Sequence, residues 1–185
     1  VRLRAMYADI DEIVFTREVI DDRVKELAAQ VMGVWRDKPL TVVVVLKGAF
    51  FFAADLVRHI AQPCEIVFVK SDSYGDGTKP QKAPAIEVPA DVDWKGRHVL
   101  VVEDIVDTGR TMNALVAALR KKGASSVRVC AFLDKPARRE VAVDLEFSGF
   151  TLEGEPFVVG YGLDFAGRYR NLPFIGTLKK AKQKR

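Results

Sequence analysis

Residues 101–112 have the sequence VVEDIVDTGRTM, in which a hydrocarbon run ends in acids and in a glycine between hydroxyl residues. The apolar run HVLVV is typical of a buried strand, and TMNALVAALRKKG has the periodicity of a helix that ends at Gly123. Glu103, Asp104 and Asp107 therefore stand where the predicted strand gives way to a loop. Polar groups at this point of a strand–loop–helix unit are well placed to bind a ligand.

Strand and helix patterns alternate along most of the chain. Apolar residues recur every three or four positions from Thr16 to about Trp35, which predicts an amphipathic helix. Runs rich in β-branched residues at 41–46, 64–69 and 126–133 predict buried strands, and FFAADLVRHI predicts another helix. The alternation favours an α/β fold, a parallel-stranded sheet flanked by helices, with ligands at the carboxyl ends of its strands.

Two segments do not fit this alternation. Residues 71–96 are rich in Gly, Pro and polar side chains, which indicates either a hairpin or a mobile loop over a site. The segment from Phe147 onward includes the strand-like FVVGYGL and is expected to pack with the N-terminal arm. The predicted organisation is one domain over 1–185, with a small hood subdomain formed by about 1–15 and 147–185.

The composition is typical of a soluble globular domain. Of the 185 residues, 49% are hydrophobic and 29% charged, which allows a sizeable core. No apolar run approaches the roughly 18 residues of a bilayer span, and VRLRAMYADI lacks a secretory signal, so we expect a cytoplasmic protein with no membrane partner. Much of the net charge of +4 lies in the terminal KKAKQKR. No aromatic residues interleave there, and we expect a solvated tail and no nucleic-acid partner.

The DTGRT loop has the properties of a phosphate site. A helix N-terminus presents backbone N–H groups, and the hydroxyls of Thr108 and Thr111 stand beside them. The pattern is not GxxxxGK[ST], and GYGLDF is not a dinucleotide motif because Phe165 replaces its third glycine. Glu103 and Asp104 would repel a bare phosphate unless hydroxyls or a cation lay between, and a sugar phosphate supplies this spacing.

These residues resemble a known family. VVEDIVDTGRT is similar to the phosphoribosyl-diphosphate motif of the type I phosphoribosyltransferases. LKGAFFFAADL, SYGDGT, LDKP and FVVGYGLDFAGRYRNLPFIG resemble, in order and spacing, the hypoxanthine-guanine phosphoribosyltransferase family across nearly the whole chain. The resemblance implies the type I phosphoribosyltransferase fold and a purine salvage reaction. In it, 5-phosphoribosyl passes from phosphoribosyl diphosphate to hypoxanthine or guanine, giving IMP or GMP and diphosphate.

The same resemblance implies Mg²⁺ as a cofactor and a homodimer or homotetramer that associates through the face carrying the LKG segment. It leaves open the use of xanthine, the preference between hypoxanthine and guanine, the number of ions and the role of the basic tail.

For the ribose and its phosphates, the resemblance implies that Glu103 and Asp104 accept hydrogen bonds from ribose hydroxyls and favour the positive charge that develops on the sugar. Together with Asp164 they would be the Mg²⁺ ligands, although Asp164 capping a turn is the alternative. Asp107 would manage a proton at the purine N7, and its alternative role is that of a turn residue. The implied ribose and 5-phosphate set is Glu103, Asp104, Asp107, Thr108, Gly109, Arg110 and Thr111.

For the leaving diphosphate, the resemblance implies binding by Lys47, Gly48 and Arg170, with a cis peptide bond before Lys47. Without it, Lys47 is more simply a surface lysine at a strand end. Ser73 and Tyr74 resemble a mobile loop that closes over the reaction, and a glycine-flanked loop without a function is the alternative.

For the base, Lys135 carries only donors, which suits the O6 of an oxopurine and disfavours the amino group of adenine. The resemblance implies that Phe157 stacks on the purine and Ile105 packs on its other face, while backbone groups of Val158 and Asp164 contact the remaining edge. Taken singly, Phe157 and Ile105 are more typical of core residues than of a base pocket.

Two other functions are compatible with the sugar-phosphate motif. A regulator of the same fold would bind phosphoribosyl diphosphate or a nucleotide as an effector and use its basic tail on nucleic acid. An enzyme for adenine or a pyrimidine is the second. Lys47, Arg170, Lys135 and Asp107 favour an enzyme over a regulator, because a sensor needs only the phosphate loop and the two acids. Lys135 and Phe157 argue against the second alternative.

Overall fold

The main sheet consists of five strands. Its central strands are rich in β-branched residues and are buried between helices, whereas the edge strand at Cys64–Lys70 leaves Ile66 and Phe68 exposed. The computed structural model describes residues 7–70, 86–154 and 156–182. The strands are β1 (Ile10–Phe15), β2 (Leu40–Leu46), β3 (Cys64–Lys70), β4 (His98–Val106), β5 (Ser126–Asp134), β6 (Phe147–Thr151), β7 (Val158–Val159) and β8 (Ile175–Leu178). The helices are α1 (Arg17–Val34), α2 (Phe50–Arg58) and α3 (Arg110–Lys121), with 3₁₀ turns at Pro136–Arg138 and Lys180–Lys182.

The strands of the main sheet are all parallel, in the order β3-β2-β4-β5-β6. Alternate residues of β2 face opposite layers: Val42 and Val44 pack in the cluster that includes α1 and α2, and Val43 and Val45 pack in the cluster that includes α3. Because the strands run in one direction, their carboxyl ends lie along one edge of the sheet. The predicted parallel sheet with flanking helices is confirmed.

Helix α1 shows how closely the sequence pattern specifies an element. The Thr16 hydroxyl accepts a hydrogen bond from Val19 N at 3.4 Å and caps the first turn. The helix ends at Val34, next to the predicted boundary. Its predicted apolar stripe is buried against the main sheet. No helix in the described part of the chain is long and apolar enough to cross a membrane.

A second, smaller sheet is antiparallel and has the order β1-β8-β7. It joins the N-terminal arm to the C-terminal segment, and we call it the hood sheet. The expected hood boundary at residue 147 is wrong, because Phe147–Thr151 is strand β6 of the main sheet and pairs with β5. Of the strand-like FVVGYGL, only Val158–Val159 is a strand, since Gly160, Tyr161 and Gly162 all have positive φ angles.

Asp9 ties the two chain segments of the hood together. Its buried carboxylate accepts a hydrogen bond from the Tyr169 hydroxyl at 3.0 Å and lies 3.0 Å from Lys182 Nζ. The hydrogen bonds from Lys182 and Tyr169 lower the pKa of Asp9. Lys179 also donates from Nζ to the Ala8 carbonyl at 2.8 Å. The expectation of a simply solvated basic tail is therefore wrong for Lys179 and Lys182.

Tyr161 fastens the hood segment to the main body. Its ring packs against Phe132 with centroids 4.9 Å apart, and its hydroxyl donates to Asp55 Oδ2 on α2 at 2.8 Å. Burial, followed by the hydrogen bond to Asp55, raises the pKa of Tyr161. Tyr161 comes shortly before the turn that begins at Asp164. Its contact with Asp55 therefore helps to position that turn relative to the main sheet.

Candidate active site at the carboxyl edge of the main sheet

The strand ends bring the sequence-predicted residues to one edge. Lys47 and Gly48 follow β2, and Lys135 follows β5. Glu103 and Asp104 lie near the end of β4, and Asp107 is the first residue after it. Val158, Asp164 and Arg170 come from the hood segment, whose Gly162 packs directly on Gly48. Ser73 and Tyr74 lie outside the described residues. The two sheets therefore meet where the diphosphate and ribose residues were predicted.

The segment after β2 lies in close contact with Asp104 on one side and with Gly162 of the hood segment on the other. The Leu46–Lys47 peptide bond is cis, as the resemblance implied. A Cβ atom added to Gly48 would overlap the Asp104 carboxylate, and one added to Gly162 would overlap the Gly48 carbonyl oxygen. Glycine at position 48 is thus required by close approach rather than by flexibility. Asp104, Gly48 and Gly162 form a stack that joins the two sheets.

Glu103 and Asp104 are adjacent carboxylates, of which Glu103 is buried and Asp104 is half-buried. Glu103 is only 7% exposed, and its Oε1 accepts from Asp104 N at 3.2 Å, while Asp104 Oδ1 accepts from Ile105 N at 2.9 Å. Burial, followed by repulsion from Asp104, raises the pKa of Glu103 well above its ordinary value. Burial likewise raises the pKa of Asp104, against the opposing charge of Arg170. Such a pair is stabilised by a cation or by donors brought with a ligand.

These oxygen donors suit Mg²⁺, which prefers carboxylates and usually keeps several non-protein ligands. No three acidic, His or Cys side chains in the described residues form a metal site by themselves. One buried and one half-buried carboxylate, both with raised pKa values, nevertheless fit a cation whose remaining ligands are supplied by a bound polyanion and by water. The residues present therefore fit the implied ion as a partner of the substrate.

Asp164 and Arg170 are paired with each other. Arg170 Nη2 lies 2.6 Å from Asp164 Oδ1, and Arg170 Nη1 donates to the Gly162 carbonyl at 2.6 Å. Asp164 Oδ2 accepts from Gly167 N at 2.7 Å, which is the turn-capping role left open above. The positive charge of Arg170 also opposes the rise that burial causes in the pKa of Asp104. One guanidinium thus links the hood turn to the acids of β4.

The DTGRT loop presents unpaired donors at the start of α3. Gly109 has a φ of 83°, and a Cβ there would overlap the Val141 carbonyl. Within the described residues, the backbone N–H groups of Thr111 and Met112 have no protein acceptor. The Thr108 hydroxyl accepts from Arg110 N at 3.4 Å. Free amides at a helix N-terminus favour an anion, and a phosphate fits this position.

The Arg110 guanidinium forms an ion pair with Glu140. Any contribution of Arg110 to phosphate binding is therefore best made by its backbone N–H rather than by its side chain.

Asp107 is the first residue after β4. Its carboxylate makes no turn hydrogen bond in the described part of the chain. Its Oδ1 is buried, accepts no hydrogen bond from the described residues, and lies 3.2 Å from Arg138 Nε. The turn-residue alternative for Asp107 thus has no hydrogen bond to support it. A carboxylate held in this way retains acceptor capacity for a ligand.

The predicted base residues lie at the end of β4, just after β5 and in the hood segment. Lys135 is 7% exposed and donates from Nζ to the Pro156 carbonyl at 2.9 Å. Phe157 is 46% exposed, with its ring edge-on to Phe165 at 5.5 Å between centroids. Val158 is buried, and Ile105 packs partly against the core. The core alternative is wrong for Phe157, which leaves an aromatic face available for stacking.

Sequence reasoning missed the segment Arg139 to Val141, which forms hydrogen bonds with the backbone of the DTGRT loop. Arg139 Nε donates to the Asp107 carbonyl at 3.0 Å, and its Nη2 donates to the Val106 carbonyl at 3.3 Å and to the Asp134 carboxylate. The backbone N–H groups of Glu140 and Val141 both donate to the Thr108 carbonyl at 3.0 Å. The only signal in the sequence is the Arg-Arg pair after LDKP, which is ordinary for a surface turn.

A parallel sheet with two adjacent acids and a DTGRT loop at the end of one central strand, joined to a small antiparallel sheet, is typical of a phosphoribosyltransferase of the type I fold. The chain belongs to this family, since the family model described as "Phosphoribosyl transferase domain" matches residues 13–166.

Within the family, the similar proteins carry a more particular name. The hypoxanthine-guanine phosphoribosyltransferase of Bacillus subtilis is 41% identical over 95% of this chain and 97% of its own length. The hypoxanthine phosphoribosyltransferase of Haemophilus influenzae is 43% identical over 90% of this chain and 94% of its own. A crystal structure of a hypoxanthine phosphoribosyltransferase from Staphylococcus aureus has a TM-score of 0.91 at 35% identity and covers 98% of both chains.

Proposed function

We propose that this chain is a purine salvage enzyme that transfers 5-phosphoribosyl from phosphoribosyl diphosphate to hypoxanthine or guanine. The bond from the sugar C1 to the diphosphate breaks, a bond from C1 to purine N9 forms, and the products are IMP or GMP, diphosphate and a proton. The observation that carries this proposal is the adjacent pair of buried Glu103 and half-buried Asp104, followed along the same strand–loop–helix unit by the free amides of Thr111 and Met112. A sugar phosphate satisfies both groups at once.

The two acids stabilise the sugar as it becomes oxocarbenium-like. Glu103 and Asp104 accept from ribose hydroxyls, and their negative charge favours the cationic ring. Since Glu103 is buried and Asp104 is half-buried, the interaction is stronger than it would be at a fully solvated surface. The amides of residues 108–112 and the Thr108 and Thr111 hydroxyls hold the 5-phosphate and so fix the ribose against the acids.

The diphosphate leaves at the stacked segment after β2. The backbone of Lys47 and Gly48 and the guanidinium of Arg170 bind the departing oxygens. Mg²⁺, when bound with the diphosphate, neutralises part of its charge. Glu103 and Asp104 would hold the ion on the ribose side, and Asp164 on the hood side once Arg170 turns from it to the diphosphate.

The base lies between β5 and the hood. Lys135 donates to the purine O6, Phe157 stacks on one face and Ile105 contacts the other, while backbone groups of Val158 and Asp164 contact the edge. Asp107 accepts or returns the proton at N7 as N9 attacks C1, and such help is typically worth about 100- to 10,000-fold in rate. Adenine is disfavoured because its amino group meets the Lys135 ammonium donor to donor.

The assembly we propose is a homodimer or homotetramer of single-domain chains in the cytoplasm. Phe50 and Phe51, just after the LKG segment, and Ile66 and Phe68 on edge strand β3 are large apolar side chains left exposed. Exposed apolar groups on an edge strand favour association with another chain. We propose no nucleic-acid partner, because two lysines of the basic tail already contact the N-terminal arm.

The test is a spectrophotometric screen of five bases with phosphoribosyl diphosphate, in the presence of Mg²⁺ and in excess chelator. We expect turnover of hypoxanthine and guanine with Mg²⁺, none of adenine or uracil, and loss of activity in chelator; xanthine is assayed alongside. Equal use of adenine would contradict the base pocket. Turnover of no base, together with tight binding of phosphoribosyl diphosphate, would support the regulator instead.

A further inference from the structure

Arg138 is the charged neighbour of the Asp107 carboxylate. Arg138 Nε lies 3.2 Å from Asp107 Oδ1, and the two side chains are 46% and 35% exposed. The Oδ1 atom itself is buried, and no N–H or O–H of the described residues donates to it. A carboxylate oxygen cut off from water and from hydrogen bonds needs an opposite charge to keep its place. In the described part of the chain, Arg138 is the ion-pair partner of Asp107.

We propose that Arg138 is a positioning residue for the phosphoribosyl transfer. It holds Asp107 by Oδ1 and thereby fixes the direction of the other carboxylate oxygen, Oδ2, which remains for the purine. This inference rests on the proposed function, because Arg138 acts only through Asp107 and touches no reacting atom. It assigns a role to the turn after LDKP that sequence patterns did not suggest.

The backbone that carries Arg138 is fixed relative to Asp107. The 3₁₀ turn Pro136–Arg138 follows β5 directly, and Lys135 N donates to the Val106 carbonyl at 3.0 Å. The next residue, Arg139, binds the Asp107 carbonyl, the Val106 carbonyl and the Asp134 carboxylate. Arg138 is therefore tethered on both sides to the strand end that carries Asp107. Because its backbone is already fixed, the Arg138 side chain can orient a neighbouring group with little further loss of conformational entropy.

Its effect should fall on turnover rather than on sugar-phosphate binding. The phosphate is proposed to bind backbone amides, and these are held by the contacts of Glu140 and Val141 with Thr108 rather than by the Arg138 side chain. Loss of the ion pair lets the Asp107 carboxylate turn away from the purine. Misplacement of a reacting group by about 1 Å can cost about 100-fold in rate.

The experiment compares Arg138→Ala and Arg138→Lys with Arg128→Ala. Arg128 pairs with Glu146 at similar exposures of 37% and 33%, and it lies near the opposite end of β5. We expect Arg138→Ala to lower kcat about 10- to 100-fold with the KM for phosphoribosyl diphosphate within about 3-fold. Arg138→Lys should recover part of the loss, since it restores the charge but not the planar guanidinium. Arg128→Ala should leave both constants unchanged.

Two further measurements separate positioning from a structural role. Guanidinium ion added at millimolar concentration should raise the kcat of Arg138→Ala but not that of Arg128→Ala. In an Asp107→Asn background, Arg138→Ala should cause no further loss of kcat, because the group through which it acts has been removed. Equal losses in both backgrounds, or a KM effect as large as the kcat effect, would overturn the inference.

The same variants distinguish this inference from the proposed function. If Asp107→Asn keeps the full kcat, the acid–base role of Asp107 fails, and the inference about Arg138 fails with it. If Asp107→Asn loses turnover while Arg138→Ala keeps it, only the positioning role of Arg138 is refuted.

Discussion

The main sheet and the hood sheet are held together by different interactions. In the main sheet, β2, β4 and β5 are buried on both faces by hydrocarbon side chains of the two large core clusters. The hood sheet has a small apolar cluster of its own, and its chain segments are joined through polar contacts of Asp9. The main sheet is thus densely packed on both faces, whereas the hood sheet combines a small apolar cluster with charged and hydrogen-bonded contacts.

The candidate site uses both arrangements for different tasks. The groups proposed to stabilise developing charge, Glu103, Asp104 and Asp107, lie in or just after β4 of the main sheet, where packing fixes the backbone. The groups proposed to contact the base and the diphosphate, such as Phe157 and Arg170, lie on the hood segment. Rigid support suits charge stabilisation, while a less tightly packed element suits ligand entry and exit. Changes at the main-sheet rim should therefore cost more activity than changes inside the hood.

The largest effect should come from Gly48→Ala, which disturbs the contact between the two sheets. The added Cβ would overlap the Asp104 carboxylate, so either the segment after β2 or the acid must move. We expect kcat/KM to fall by about 1,000-fold, with little change in thermal unfolding, because a shift of about 1 Å misplaces both the diphosphate donors and the acid. Steady-state kinetics and calorimetry measure the two quantities.

Gly33→Ala is the matched control for that change. Gly33 lies inside α1 with nothing near its added Cβ, so alanine there should raise the free energy of unfolding by about 0.5–1 kcal/mol and leave kcat/KM unchanged. Near-normal kcat/KM in Gly48→Ala would mean that the stack of Asp104, Gly48 and Gly162 does not govern the chemistry.

Lys135→Ala tests the contact between the end of β5 and the hood segment. Its Nζ contacts the Pro156 carbonyl on the hood side, and we propose that it donates to the purine O6. Turnover of hypoxanthine and guanine should fall by about 100-fold or more, since a lost polar contact at a reacting base weakens the transition state. Assays with both oxopurines and adenine measure the effect. A uniform small loss with unchanged base preference would count against the pocket.

Asp9→Asn weakens the hood without touching the rim of the main sheet. Hydrogen bonds from Lys182 and Tyr169 lower the pKa of Asp9, so its stabilising contribution is present above the ordinary Asp pKa of about 3.9 and is lost as pH falls through the lowered folded value. We expect Asp9→Asn to lower Tm by several degrees at pH 7, and by much less near pH 3, with kcat nearly unchanged.

The exposed Asp11, two residues along β1, provides the control as Asp11→Asn. It should leave Tm unchanged at both pH values. A pH-independent difference between Asp9→Asn and the unaltered protein would show that packing, and not charge, holds the chain segments of the hood together.

The smallest of the expected shifts in Tm is a gain from Glu103→Gln. Burial and the neighbouring Asp104 raise the pKa of Glu103, so the native state loses stability as pH rises above the ordinary Glu value of about 4.3. Glu103→Gln should have about the same Tm as the unaltered protein near pH 4 and a Tm higher by a few degrees at pH 8, while its turnover falls. Calorimetry across this pH range measures the difference, and a lower Tm at pH 8 would contradict it.

The alternation of strand and helix patterns was enough to predict the main sheet, because each buried strand carries its own β-branched run. It failed at Phe147–Thr151, since this strand is only five residues long and is defined by its pairing with β5. Pairing depends on a partner distant in the chain, which local pattern does not report. The lysines of the tail were misjudged for the same reason, because their partners lie at the opposite end of the chain.

The candidate site divides in the same way. The chemical character of Glu103, Asp104, Asp107 and the DTGRT loop follows from their order along one strand and one helix start. The contacts of Arg138 with Asp107 and of Gly48 with Asp104 join separate segments, and nothing local marks them.

By itself, the sequence determined the parallel sheet, the phosphate loop and the kind of chemistry at the strand ends, because these depend on side-chain type and on near neighbours in the chain. Only the tertiary structure decided which groups meet there: the paired Asp164 and Arg170, the stack of Asp104, Gly48 and Gly162, and the arginines behind Asp107. The physical reason is that burial and close approach are properties of the packed chain, and they set the charge states and positions on which the proposed reaction depends.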